Sequence, residues 1–137
     1  MEMKKITVVV EFAKGNLSAY IKEVDGITAA AQTMQELKRS INESIQIYKE
    51  ECEECEVDLP EALKGEYEVV YKYDTSTFLS VYSHILSKAG LERLTGINQK
   101  QLWHYANGKS TPRPATISKI QESIHTFARE LEAVELC

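Results

Sequence analysis

The sequence predicts an α+β protein in two parts, a βββαβ module over residues 1–73 and an all-α domain over residues 74–137. Three observations lead there. The first part carries strand-like segments around one long amphipathic helix, whereas the second carries helix caps and no strand pattern. Charge changes sign at the same boundary: residues 1–73 hold 9 Lys and Arg against 15 Asp and Glu, or −6, and residues 74–137 hold 7 against 6, or +1. At 137 residues and 43% hydrophobic, the chain has material for two small cores of about 60 to 70 residues each.

Lys5–Phe12 is β-branched and apolar enough for a first strand, and Ala13-Lys14-Gly15-Asn16 supplies the turn that reverses the chain. A second strand is expected over Leu17–Val24. After the turn signal Asp25-Gly26, the run Ile27–Gln32 reads either as a third strand or as a lead-in to helix. Thr33 and Glu36 mark the helix start, since Thr-x-x-Glu offers a side-chain oxygen to an otherwise unpaired helix N–H. Leu37, Ile41, Ile45 and Tyr48 follow on one stripe, so the helix runs from about residue 34 to the mid-fifties and packs on the sheet. Tyr67–Tyr73 alternates as a fourth strand. The expected core is Val8, Val10, Leu37, Ile41, Ile45 and Val69.

Several kinds of chemistry are not expected. No apolar run approaches the roughly 18 residues of a membrane span, and no signal-peptide apolar region follows the first five residues, so a cytoplasmic chain without membrane contact is predicted. Cys52, Cys55 and Cys137 lack disulfide spacing, which fits a reducing compartment. A zinc site at Cys52 and Cys55 would need a second ligand pair, which is missing, and the flanking glutamates disfavour a reactive thiolate. Glu11 on a central strand is a weak echo of metal-dependent nucleases, but Glu23, Asp25, Glu36 and Glu43 read as turn and surface residues rather than converging ligands. His84, His104 and His125 have no nucleophile motif beside them. Neither an enzyme nor a cofactor is expected. The acidic run Glu50–Glu56 reads either as a solvated helix end or as a dock for a basic protein.

Residues 91–114, LERLTGINQKQLWHYANGKSTPRP, carry the second part's clearest signal. Ser87 can cap a helix whose Leu91 and Leu94 face inward, Gly96 permits a sharp turn, and Asn98 can cap a second helix over Gln99–Asn107 that Gly108 ends. With Leu102 and Tyr105 directed to the core, Gln99, Lys100, Trp103, His104 and Asn107 face outward. Lys88, Arg93, Lys100, Lys109, Arg113 and Lys119 meet only Glu92 over residues 88–119, a local +5 suited to a polyanion. Gln99, Lys100 and His104 are candidates for base edges and Asn107, Lys109 and Arg113 for the phosphate backbone, with Asn98 and Trp103 also counted among the DNA-binding residues.

The order Leu-x-x-x-x-Gly-Ile-Asn, Leu-x-x-Tyr-x-Asn-Gly-Lys, then Pro and a new amphipathic helix resembles the helix-turn-helix of the Xre/Cro repressors over roughly residues 75–125. Glu92 departs from the small residue usual in that family. With the βββαβ module in front, the chain is similar to HicB antitoxins, whose first domain is a partial ribonuclease-H-like fold, here matched in order over Val8–Tyr73. Val24-Asp25-Gly26-Ile27 stands where that family often has Leu-Pro-Gly-Cys. The resemblance implies a non-catalytic module that masks HicA, a small basic ribonuclease toxin, and a C-terminal domain that binds operator DNA and represses the shared operon. It also tips the acidic half toward docking a cationic partner.

Ile117, Ile120, Ile124, Phe127, Leu131 and Val134 repeat at alternating spacings of three and four, an a/d seam. The first three are expected to serve the domain's own core, and Phe127, Leu131 and Val134 to pair with a second copy in a homodimer or higher oligomer. The rival reading is a free-standing repressor with an N-terminal small-molecule or protein sensor.

Overall fold

The computed structural model describes residues 3–137 as a mixed α+β chain that divides into two compact units, the first ending at Asp74 and the second beginning at Thr75. In the first unit, β1 (Lys4–Ala13), β2 (Asn16–Ile21), β3 (Thr28–Ala31), α1 (Met34–Glu54), a 3-10 turn (Glu61–Leu63) and β4 (Tyr67–Tyr73) follow in that order. The sheet order is β3-β2-β1-β4. β1 pairs antiparallel with β2 and parallel with β4, the latter in register from Lys4 opposite Tyr67 to Val10 opposite Tyr73. Parallel neighbours need a crossover between them, and α1 is that crossover.

The β1–β2 hairpin closes through Lys14 and Gly15, both left-handed at φ 55° and 74°. Ala13 pairs with Asn16, so these two residues form the kind of two-residue turn whose twist matches that of the flanking strands. β2 ends at Ile21, three residues short of the expected Val24. Opposite Thr7 the backbone pairing gives way to a side chain: the Lys22 N–H still reaches the Thr7 carbonyl (3.0 Å), but the Thr7 N–H donates to Glu23 Oε1 (2.7 Å). Burial pushes the Glu23 carboxyl up, yet this bond, the Thr7 side chain and Lys22 outweigh it and hold the group below its ordinary value. The chain then leaves the sheet and sends Val24 and Ile27 into the core. Thr28–Ala31 is a strand, which resolves the alternative of a helical lead-in.

α1 begins where Thr33 predicts, its Oγ1 accepting from the Glu36 N–H at 3.2 Å. Leu37, Ile41 and Ile45 of α1, Ile6, Val8 and Val10 of β1, and Leu17, Ala19 and Ile21 of β2 are all buried, as is Leu63 of the 3-10 turn. Val69, expected in the core, is half-buried on the outer strand β4. At its far end α1 closes with paired 5→2 and 6→1 bonds: the Glu56 N–H donates to Glu53 O (3.2 Å) and the Val57 N–H to Cys52 O (2.9 Å). Glu56 therefore takes the left-handed position at φ 56°, where glycine is favoured.

The second unit contains α2 (Thr75–Val81), α3 (Lys88–Thr95), α4 (Gln99–Ala106) and α5 (Pro114–Glu132). The sequence reading places no helix before Ser87, so α2 is an addition. Its seven residues include Thr75, Ser76, Thr77 and Ser80, hydroxyl side chains that are weak helix formers. Tertiary contacts hold it: Leu79 joins Leu91, Leu102 and Tyr105 in the core, with Phe78, Leu86, Ile97 and Ala106 against them, and the Ser76 hydroxyl donates to the Ala106 carbonyl (3.0 Å). On α5 Ile120 is buried, but Ile117 is 43% exposed and Ile124 half-buried. The expectation that all three serve the core is thus corrected, because a 19-residue helix packed on a small domain buries only the part of its stripe that the domain covers. No helix among the described residues is long and apolar enough to cross a membrane.

An L-residue in the left-handed region costs about 1–2 kcal/mol, partly offset by the entropy glycine loses on folding. Glu56→Gly should therefore stabilise the first unit by about 1 kcal/mol, seen as a higher midpoint in urea unfolding; a lower midpoint would contradict the assignment of strain to this residue.

Candidate nucleic-acid interface

Two short helices and the turn between them position most of the outward residues that the sequence assigns to DNA. α3 starts at Ser87, whose Oγ accepts from the Gly90 N–H (3.0 Å), and stops at Gly96, whose N–H donates to Glu92 O (2.8 Å) with φ at 76°. An L-residue would resist that conformation, and Lys119 Nζ lies 3.7 Å from where a Cβ would stand. The turn is braced by Thr95, buried, whose Oγ1 donates to Leu91 O (2.7 Å) and accepts from the Ile97 N–H (3.1 Å).

α4 then starts under two acceptors. Asn98 Oδ1 takes the Gln101 N–H at 2.9 Å, and Glu92 Oε2 takes the Gln99 N–H at 2.8 Å. Glu92, the residue that departs from the small side chain of the family pattern, thus joins α3 to α4 by satisfying an amide at the positive end of the helix. These amides are spent within the domain.

Leu102 and Tyr105 turn inward, as expected, and are buried. That fixes the opposite face: Asn98, Gln99, Lys100, Trp103, Asn107, Lys109 and Arg113 are exposed and His104 is half-buried. Three of these are drawn together. Lys109 Nζ sits 4.2 Å from the centre of the Trp103 ring, and the His104 ring centre is 5.6 Å from that of Trp103. Their placement follows from the end of α4, where the Gly108 N–H donates to Tyr105 O (3.2 Å) and the Lys109 N–H to His104 O (2.9 Å). Asn107 caps its own helix, its Nδ2 donating to Trp103 O at 2.8 Å, which leaves its amide oxygen and second N–H for another partner. Arg113 stands apart from this group, as the residue that opens α5 just before Pro114.

Sequence reasoning missed Gln101, Thr95 and Glu92 as parts of the site. Gln101 Nε2 donates to Ser110 Oγ (3.1 Å) and ties α4 to the segment after it. Thr95, one residue before the turn glycine, carried a usable signal, since a hydroxyl there can bridge the last helical carbonyl and the chain beyond. On α5, Phe127 is half-buried and Leu131 is 53% exposed, while Val134 lies past the helix end at Glu132 and is 57% exposed. In the first unit Glu11 is exposed, and no group of three His, Cys, Asp or Glu among the described residues is placed to hold a metal ion. Cys52 is half-buried and Cys55 and Cys137 are exposed, all three as free thiols.

Comparisons with protein-family models, with curated proteins and with solved structures find no match to this chain.

Proposed function

We propose that this chain is a HicB-type antitoxin, in which the first unit is a partial ribonuclease-H-like module that masks a small, basic, HicA-type ribonuclease and the second is an Xre/Cro-type helix-turn-helix that represses the shared operon. The observation that carries the reading is the α3–Gly96–α4 arrangement. It is stapled by Glu92 and Asn98 and holds Gln99, Lys100, Trp103 and Lys109 outward on a domain whose residues 88–119 carry +5. A helix of this length fits the major groove of duplex DNA, where Gln pairs with adenine and Lys with guanine edges.

Electrostatics support the other half of the proposal. Glu53 and Glu54 stand in the last turn of α1 with no basic residue there, which opposes the helix dipole and costs a few tenths of a kcal/mol per charge. A cationic partner would relieve that cost.

The roles within α4 separate by experiment. Gln99→Ala and Lys100→Ala should each cost about 1–3 kcal/mol on the operator and hardly change binding to scrambled duplex. Lys109→Ala should weaken both alike and reduce the salt slope by about one unit. Gel-shift titrations at two salt concentrations read both effects, and equal losses on the two DNAs for Gln99→Ala and Lys100→Ala would end the base-contact assignment.

Operator recognition is proposed to use a dimer joined through Phe127, Leu131 and Val134, with two copies of α4 about 34 Å apart. The double substitution Phe127→Glu and Leu131→Glu should convert it to monomer in sedimentation velocity. An unchanged profile would remove α5 from the interface.

A further inference from the structure

β3 is one edge of the sheet. Its register sets Tyr20 opposite Thr28, Ala19 opposite Ala29 and Ser18 opposite Ala30, and just before it the Ile21 N–H donates to the Ile27 carbonyl at 3.2 Å. Successive residues of a strand direct their N–H and C=O to opposite sides. Ile27, Ala29 and Ala31 therefore face β2, and Thr28 and Ala30 face away from it. The outward Thr28 carbonyl is touched by the Ser44 hydroxyl at a long 3.4 Å.

Natural edges are blunted by shortness, charge, proline or a bulge; Thr28-Ala29-Ala30-Ala31 is short but has no charge and no proline. Alanine is a poor strand former, so strand propensity does not account for this run. Its small side chains do leave room for another backbone alongside. Next to the edge lies a cleft of about 240 Å³, lined among others by Gly26, Thr28, Ser44, Ile47, Tyr48 and Glu51. Ile47 is 54% exposed there, a large apolar side chain without cover.

Two cations of α1 lie away from this cleft. Lys38 and Lys49 lean to β4, their ammonium groups 5.1 Å and 5.0 Å from the ring centres of Tyr71 and Tyr67, and Lys49 also donates to the Tyr67 hydroxyl (3.0 Å). On the β3 side the cleft presents the carboxylate of Glu51.

We propose that β3 and this cleft are the docking edge for an extended, cationic segment of the small basic partner. The segment adds as a fifth strand bonded to Thr28 and Ala30, lays an apolar side chain on Ile47 and Tyr48, and brings a Lys or Arg to Glu51. The inference rests on reading the first unit as a module that binds a basic protein, and narrows that reading to one face.

Amide hydrogen exchange followed by NMR tests it on the full chain, free and saturated with a small basic HicA-type ribonuclease, the partner class proposed above. In the free chain the Thr28 and Ala30 amides should exchange fast and those of Ala29 and Ala31 slowly; in the complex Thr28 and Ala30 should slow by at least about tenfold. Ala30→Pro removes an outward N–H at an edge position that tolerates proline, and Glu51→Lys reverses the charge with the backbone intact. Each should weaken the complex at least about tenfold, whereas Lys72→Glu on the opposite edge strand should not. A complex that forms while Thr28 and Ala30 stay fast would overturn the docking edge and leave the binding reading standing, and failure of the two proteins to associate would remove both.

Discussion

The parallel pairing of β1 with β4 governs the first unit. Two strands adjacent in the sheet and parallel cannot be joined by a turn, so the intervening chain must climb over one face, and α1 does so with Leu37, Ile41 and Ile45 buried beneath it. Three consequences follow from that single requirement. β1 becomes an interior strand, β3 is left at an edge, and the acidic C-terminal end of the long helix stands in solvent, where Glu50, Glu51, Glu53, Glu54 and Glu56 are all exposed. The features assigned to partner binding are thus by-products of a topology chosen for burial, with the charge added where burial makes no demand.

In the second unit the comparable constraint is the left-handed turn at Gly96. It forces α4 to leave α3 at once, and the Glu92 carboxylate then closes the gap by accepting the first amide of α4. Once that junction is set, Leu102 and Tyr105 must bury, and Gln99, Lys100 and Trp103 must face out, because side chains one turn apart share a face and those two apart do not. The position of Lys109 over Trp103 follows from the cap that pins its backbone to His104 O. At an exposed site such a contact contributes about 0.5–1 kcal/mol, enough to bias where the ammonium rests.

Elements with a local chemical signal were legible in the sequence. Thr33, Ser87 and Asn98 cap helices where their hydroxyl and amide groups suggested, Gly96 and Gly108 end them, and Tyr67–Tyr73 is a strand to the residue. What escaped is what tertiary contact decides. α2 is too short and too rich in hydroxyls to announce itself and exists because Leu79 meets Leu91 and Leu102. β2 stops early because a side chain, Glu23, takes the amide that a strand would have used. Ile117 matches the heptad spacing as well as Ile120 does, yet only one of them finds the core, since periodicity names a stripe and not how much of it a small domain can cover. Glu92 was read as a departure from a family pattern, and its use as a cap on the next helix depends on a turn angle that spacing does not encode.

The two proposed partners are opposite in charge and fall to different units of the chain, so binding of one should be independent of the other. Titrating duplex operator DNA into a preformed complex of the chain with its small basic partner, followed by sedimentation velocity with separate absorbance labels on the two ligands, measures this in one experiment. Comigration of both labels with the chain in a single boundary is the predicted result. Release of the basic partner in proportion to the DNA bound, at salt low enough to keep each binary complex intact, would mean that the two share a surface and would contradict the division proposed here.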